Sequence, residues 1–253
     1  GLRNWLERRA LRSSGVILNA SRFMASKLRF AHTLESRILP LGVDQDMFRP
    51  SADTPALRKR LGLPEGAFIV LTVRNLASRM GLENLVEAAS AVVREKPEVF
   101  FVIGGSGYLR GKLEKMIKTA GLSGSVRLAG YIPEADLPAY YQCADLFILP
   151  TRVLEGFGLV TLEALACGTP VRATPVAANP EIVGRLDPRM LLEDCSPAGI
   201  AAGILGFIPR YGEAREAMRG ACRKFVEDNY SWTRYAEGVE QALFDAISSG
   251  WRP

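Results

Sequence analysis

Two glutamates, Glu155 and Glu163, stand with seven residues between them in the stretch Leu149-Pro150-Thr151-Arg152-Val153-Leu154-Glu155-Gly156-Phe157-Gly158-Leu159-Val160-Thr161-Leu162-Glu163-Ala164. The run before it, Leu146 to Leu149, is apolar and of strand length; Pro150 ends it, glycines loosen the turn, and a helical pattern begins near Gly158. A helix start of this kind leaves its first N–H groups unpaired at the positive end of the helix dipole. The amides of Gly158 and Leu159 therefore offer a place for phosphate or another anion. Glu163 follows Leu159 on the same stripe of the helix, close to the loop above it, so both acids can border one ligand. Amides suit phosphate and carboxylates suit hydroxyls, which points to a ligand carrying both. Either glutamate alone is an ordinary solvated acid; the spacing and the loop make the site.

The elements that position these residues follow a regular order. Helices are expected near Ala56 to Leu61, Leu82 to Glu95, Leu109 to Ala120, Ala135 to Cys143, Leu159 to Cys167 and, briefly, Pro180 to Gly184. They alternate with strands Phe68 to Val73, Val99 to Ile103, Val126 to Leu128, Leu146 to Leu149, Val171 to Ala173 and a weak one at Met190 to Leu192. Such alternation means an α/β fold, a Rossmann-like doubly wound parallel sheet with ligand at the carboxyl ends of the strands. C-terminal helices over Pro197 to Phe207, Gly212 to Asp228 and Thr233 to Ser248 close the chain, the last introduced by Ser231. Near the start, a basic amphipathic helix carries Arg3, Arg8, Arg9 and Arg12 among Leu2, Trp5, Leu6 and Leu11; it leads into Val16 to Asn19, and Ser21 caps a helix from Arg22 to Phe30.

Two more strand ends carry loops suited to a ligand. Strand Phe68 to Val73 runs into Arg74-Asn75-Leu76-Ala77-Ser78-Arg79-Met80-Gly81, and strand Val99 to Ile103 into Gly104-Gly105-Ser106-Gly107-Tyr108-Leu109. A dinucleotide fingerprint would need a third glycine where Arg110 stands and an acid where Gly130 and Tyr131 stand, so a nicotinamide cofactor is excluded.

Glu155 to Val171, reading E-G-F-G-L-V-T-L-E-A-L-A-C-G-T-P-V, resembles the "EGFGL…E-A-x-A-x-G-x-P-V" block of the retaining, GT-B-fold glycosyltransferases numbered four, the glycosyl transferases group 1. The match continues through Ala173-Thr174 and Pro180-Glu181-Ile182-Val183. The resemblance implies that Glu155 faces the hydroxyls of a transferred sugar, that Glu163 holds the ribose of a nucleotide, and that Phe157, Gly158 and Leu159 belong to the same donor site. Gly105 and Gly107 look like the family's "G-x-G-x-L" turn, and Gly130-Tyr131-Ile132 like the step whose backbone reads the base. The Arg74 to Gly81 loop resembles "G-R-L-x-x-x-K-G", whose Arg and Lys hold the diphosphate. Here Asn75 and Met80 occupy those two positions, while Arg74 and Arg79 each stand one residue earlier. Arg79 is expected to reach the diphosphate. Arg74 is the less certain of the two, because one step along an extended strand reverses a side chain. Ala177-Ala178-Asn179 replaces the usual glycine pair before "P-E" and would crowd a ligand near that turn.

By the same resemblance, residues 1–50 read as the remnant of an N-terminal acceptor domain and its linker. Residues 51–230 read as the nucleotide-sugar-binding domain and residues 231–253 as a cross-over helix. The activity implied is transfer of a sugar from a UDP- or GDP-linked donor to a carbohydrate or lipid-linked acceptor hydroxyl with retention, with no cofactor or metal. The alternative is a catalytically incomplete nucleotide-sugar-binding module, or a split subunit that needs a separate acceptor-binding chain.

Composition agrees with a globular chain: of 253 residues, 48% are hydrophobic and 23% charged, with a net charge of +5. The mild basicity suits a phosphate-bearing ligand, and no cluster of aromatic and basic residues makes a nucleic-acid platform. His32 is the single histidine, and Cys143, Cys167, Cys195 and Cys222 form no C-x-x-C pair, so free buried thiols in a reducing cytoplasm are expected rather than disulfides or a metal centre. With no signal peptide and no membrane-length apolar run, association with the inner face of a membrane would be peripheral at most.

Overall fold

The computed structural model describes residues 2–249; residues 1 and 250–253, and the side chains of Leu2, Arg3, Asn4 and Phe30, lie outside the described set, and with them the parts assigned above to Leu2, Arg3 and Phe30. The central sheet has five parallel strands: β3 (Phe68–Val73), β4 (Val99–Gly104), β5 (Val126–Gly130), β6 (Leu146–Leu149) and β7 (Val171–Ala173). Their order is β5-β4-β3-β6-β7. The chain thus winds outward from β3 in one direction through β4 and β5, then crosses back to lay β6 against the other side of β3. A crevice opens at such a reversal, outside the carboxyl ends of the two central strands.

The apolar runs that predict these strands are buried on both faces, as a helix-covered parallel sheet requires. All four residues of β6 are fully buried, each contributing about 1.5–3 kcal/mol. Helices α4 (Leu82–Glu95), α5 (Arg110–Thr119), α6 (Leu137–Cys143) and α7 (Leu159–Ala166) connect the strands, while α3 (Thr54–Arg60) precedes β3 and α8 (Asn179–Leu186) follows β7. The start of β6 is stapled to its neighbour by a buried polar group: Asp145 Oδ2 accepts from the Ile69 amide at 2.9 Å and from Arg58 Nη2 at 2.7 Å.

Before the sheet come α1 (Leu2–Ser13), α2 (Arg22–His32) and a parallel pair, β1 (Leu18–Asn19) with β2 (Arg37–Ile38). Ser21 caps α2 as expected, accepting from the Met24 amide at 3.1 Å, and also donates its hydroxyl to the Gly156 carbonyl at 2.6 Å. The Glu181 carboxylate, at the start of α8, takes the Arg22 and Phe23 amides at 2.8 Å each. The first turn of α2 is therefore pinned to the glycine loop and to α8. His32 is buried beside Glu7, 3.4 Å away, in a structural setting.

One expectation changes towards the C-terminal end. Met190 to Leu192 forms no strand: a 3₁₀ turn covers Pro188–Met190, and only Leu191 bridges to Ala173. The two helices expected between Pro197 and Asp228 are both present: they run end to end as α9 (Pro197–Asn229) and are separated by a kink at Ala214, whose φ and ψ are −130° and 25°, two residues past the Gly212 that reads as a break in sequence. The last helix, α10 (Trp232–Ser248), is capped by Ser231 as expected. The four cysteines are free, and burial pushes the Cys143 thiol up to about 11 and those of Cys167 and Cys222 to about 12, so these three are unreactive. None of the described helices is long and apolar enough to cross a membrane.

Candidate functional site

A pocket of 400 Å³ lies at the reversal point between β3 and β6. Four consecutive strand ends and one helix start supply its walls. Val73, Arg74 and Asn75 come from the end of β3, Gly105 and Ser106 from the end of β4, and Tyr131 and Ile132 from the end of β5. The loop after β6 gives Glu155, and the first turn of α7 gives Gly158, Leu159 and Val160; Met80 and Leu137 complete the lining.

Most of the residues singled out by sequence thus meet in one place, although up to 85 positions separate Arg74 from Leu159. Four do not line the pocket. Gly107 lies beneath the Leu76 backbone, where an added Cβ would sit 2.5 Å from the Leu76 carbonyl oxygen. Phe157 is buried against Tyr230, ring centroids 6.2 Å apart, on the side away from the pocket. Arg79 is exposed and donates to the Leu154 carbonyl at 2.8 Å, while its own carbonyl accepts from the Arg152 amide at 2.9 Å. It braces the loop that carries Glu155, in which Leu154 holds a left-handed φ of 61°. Glu163 stands on α7 one turn beyond the lining residue Leu159, half-buried, with Oε2 accepting from the Tyr141 hydroxyl at 2.7 Å.

The buried centre of the site is an ion pair. Arg74 Nη2 donates to Glu155 Oε2, with Thr151 Oγ1 at 3.3 Å and Met80 Sδ at 2.8 Å around the same nitrogen. The two side chains are only 5% and 11% exposed. At such depth neither charge is supportable without the other. Arg74, not Arg79, is therefore the arginine turned inward, and Asn75 is the exposed neighbour that shares the lining. The strict alternation expected of a strand fails here because the chain leaves β3 at Val73 and turns: the Leu76 amide bonds to the Ser106 carbonyl at 2.8 Å and the Ala77 amide to the Asn75 carbonyl at 2.8 Å. The buried Arg74 Nε has no hydrogen-bond partner among the described residues.

At the helix start, Gly158 has φ of 86°, a conformation that L side chains rarely adopt, and this sharp entry aims the first α7 amides at the pocket. Ala177, in the place of a usual glycine, keeps a left-handed φ of 55° without entering the lining, so the alanine pair does not crowd the pocket. Ala178 instead donates its amide to the Glu155 carbonyl at 3.2 Å. Burial raises the Glu163 carboxyl above the ordinary range, opposed by the Tyr141 hydrogen bond and reinforced by Glu134. Among the described residues no group of three or more His, Cys, Asp or Glu side chains is placed to hold a metal ion. Of the parts that sequence reasoning missed, Met80 lines the pocket from the motif position given to a Lys, while Thr151 beside the ion pair and Tyr141 behind Glu163 carry no motif signal of their own; only the fold brings them in.

Residues 53–225 match the family model described as glycosyl transferases group 1. The chain belongs to this family. Among curated proteins, this group 1 chain is 34% identical over 249 residues to a GDP-mannose-dependent alpha-(1-6)-phosphatidylinositol monomannoside mannosyltransferase of Mycolicibacterium smegmatis, covering 92% of the chain and 64% of that protein. It is 31% identical over 221 residues to a D-inositol 3-phosphate glycosyltransferase of Acidothermus cellulolyticus, covering 84% of the chain and 48% of that protein. The chain thus spans about half to just under two-thirds of the length of these relatives. Among solved structures it is similar to sucrose-phosphate synthase from Thermosynechococcus elongatus, with a TM-score of 0.84 and 26% identity over 98% of the chain and 62% of that structure. Anabaena HepE, solved with UDP and glucose, shares the fold with a TM-score of 0.82 at 19% identity, covering 92% of the chain and 64% of the solved one. The group 1 chain has the parallel α/β sheet expected from its βα order, and the GT-B fold is the one the resemblance implies.

Proposed function

We propose that this chain is the donor-binding portion of a retaining glycosyltransferase that moves a sugar from a UDP- or GDP-linked donor to a carbohydrate or lipid-linked acceptor hydroxyl. The observation that carries the reading is the pocket at the β3–β6 reversal, where the ends of three strands, the Glu155 loop and the α7 amides converge. In this reading Glu155 orients the transferred sugar and Glu163 takes the ribose. The amides of Gly158 and Leu159, with Arg74 and the Asn75 side chain, meet the diphosphate. Tyr131 and Ile132 border the base, while Gly105 and Gly107 shape the wall. Arg79 acts from outside, either by holding the Glu155 loop or by swinging onto a phosphate. Phe157 supports the loop from the core.

Residues 1–50 and 231–253 belong in this reading to the acceptor half and its cross-over helix, and residues 51–230 to the donor domain. The relatives named for GDP-mannose and for phosphatidylinositol monomannoside and inositol phosphate acceptors support the donor and acceptor classes; a cytoplasmic, at most peripheral, setting is part of the same proposal. One observation favours a second reading. With Glu155 already neutralised by Arg74, the chain would hold a nucleotide sugar without transferring it until an acceptor-binding half arrives.

A thermal-shift series with UDP, GDP, ADP and their sugar conjugates checks donor binding. A cognate nucleotide at about a hundred times its Kd is expected to add about 2.7 kcal/mol of stability. No shift with any of them would remove the donor-site reading.

A further inference from the structure

Tyr141 is fully buried at the end of α6, edge-on to Phe48 and beside Phe147, with ring centroids 6.0 and 5.5 Å away. Its backbone is fixed too, the carbonyl accepting from Thr169 Oγ1 at 2.6 Å. The hydroxyl of this immobile ring points at Glu163 and donates to Oε2 at 2.7 Å. Glu163 Oε1 accepts no hydrogen bond from the described side chains, and the residue is half-buried one turn along α7 from the lining residue Leu159. A long, flexible acid is thereby fixed in one rotamer with one oxygen committed and one left open.

We propose that Tyr141 is the positioning residue of the donor site: its hydroxyl holds the Glu163 carboxylate so that the free oxygen faces a ribose hydroxyl of a nucleoside diphosphate. This rests on the reading of Glu163 as the ribose acid. The ribose hydroxyls donate, the carboxylate accepts, and Tyr141 spares the ligand the entropy of ordering Glu163. The phenol is suited to the task because burial, and the neighbouring Glu163 charge, push its ionisation far up, so it remains a donor at every working pH. Three charged or titratable groups surround the pair. Glu134, from the turn before α6, disfavours the Glu163 charge; the Cys167 thiol, one turn further along α7, stays protonated; and the Arg74 charge acts on the phenol. Burial outweighs the Tyr141 bond at Glu163, so removing that bond lifts the carboxyl further.

The test compares GDP and UDP with their 2′,3′-dideoxy counterparts, by calorimetry between pH 5 and 8, on the wild-type chain, Tyr141→Phe and Glu163→Gln. Wild type is expected to prefer the ribose nucleotide about tenfold. Glu163→Gln should lose most of that preference. Tyr141→Phe should lose about half of it on a logarithmic scale, and the acid limb of ribose-nucleotide binding should move to higher pH, which lost packing alone would not cause. If Tyr141→Phe keeps both the preference and the limb while Glu163→Gln loses the preference, Tyr141 does not position the acid and the present inference falls alone. Should Glu163→Gln match wild type, the ribose role of Glu163 falls and takes the inference with it. If the Phe variant does not fold, 3-fluorotyrosine at position 141 replaces it. As a stronger donor of nearly equal size it should move the limb to lower pH, and an unmoved limb would overturn the proposal.

Discussion

Replacing Arg74 with methionine is expected to remove about 3 kcal/mol of folding stability, because it leaves the Glu155 carboxylate buried with no counter-charge. A denaturation midpoint lowered at unchanged slope would report this. Arg74→Met combined with Glu155→Leu should recover most of the stability while leaving no donor binding, since removing both charges removes the desolvation penalty along with the pair. An Arg74→Met variant as stable as wild type at pH 8 would mean that Glu155 does not depend on Arg74, and the buried ion pair would lose its place at the centre of the site.

The second large effect belongs to Gly105. Its φ is 126°, and a Cβ built there would lie 1.9 Å from the Arg74 carbonyl oxygen, a collision with backbone that no side-chain rotation relieves. The Gly105 amide also bonds the Gly130 carbonyl at 2.6 Å, so the β4 end is held on both sides. Gly105→Ala is expected to cost at least about 3 kcal/mol and to weaken nucleotide binding by more than its stability loss explains, because any shift that relieves the clash moves Arg74 and Asn75 in the pocket. Gly111→Ala serves as the control, since a Cβ there meets nothing within 4 Å. If the two alanine variants have equal thermal midpoints, the close crossing of the Arg74 and Gly105 loops is absent in solution.

The parts of this molecule that were legible in sequence are those written locally. The apolar runs Phe68 to Val73 and Leu146 to Leu149 coincide with β3 and β6, and Ser21 and Ser231 cap the helices they introduce. The 155–171 block identified its loop and helix because glycine, acid and apolar positions there each answer a backbone or packing demand. Direction was harder to read. The choice between Arg74 and Arg79 depends on where the chain turns after Val73, which is set by bonds to the β4 loop thirty residues away in sequence. The role of Tyr141 depends on α6 lying beside α7. Such features are properties of the assembled core and have no period or motif in the chain.

The central claim is that a nucleoside diphosphate seats at the carboxyl ends of β3 to β6 against the first turn of α7. Its most direct test is an amide NMR titration of the chain with GDP and UDP. The account predicts that the amides of Asn75, Gly105, Tyr131, Gly158 and Leu159 shift together with one saturating curve, while those of the α10 face stay still. Shifts confined to α10 or to the first fifty residues, with Gly158 and Leu159 unmoved at saturation, would contradict it.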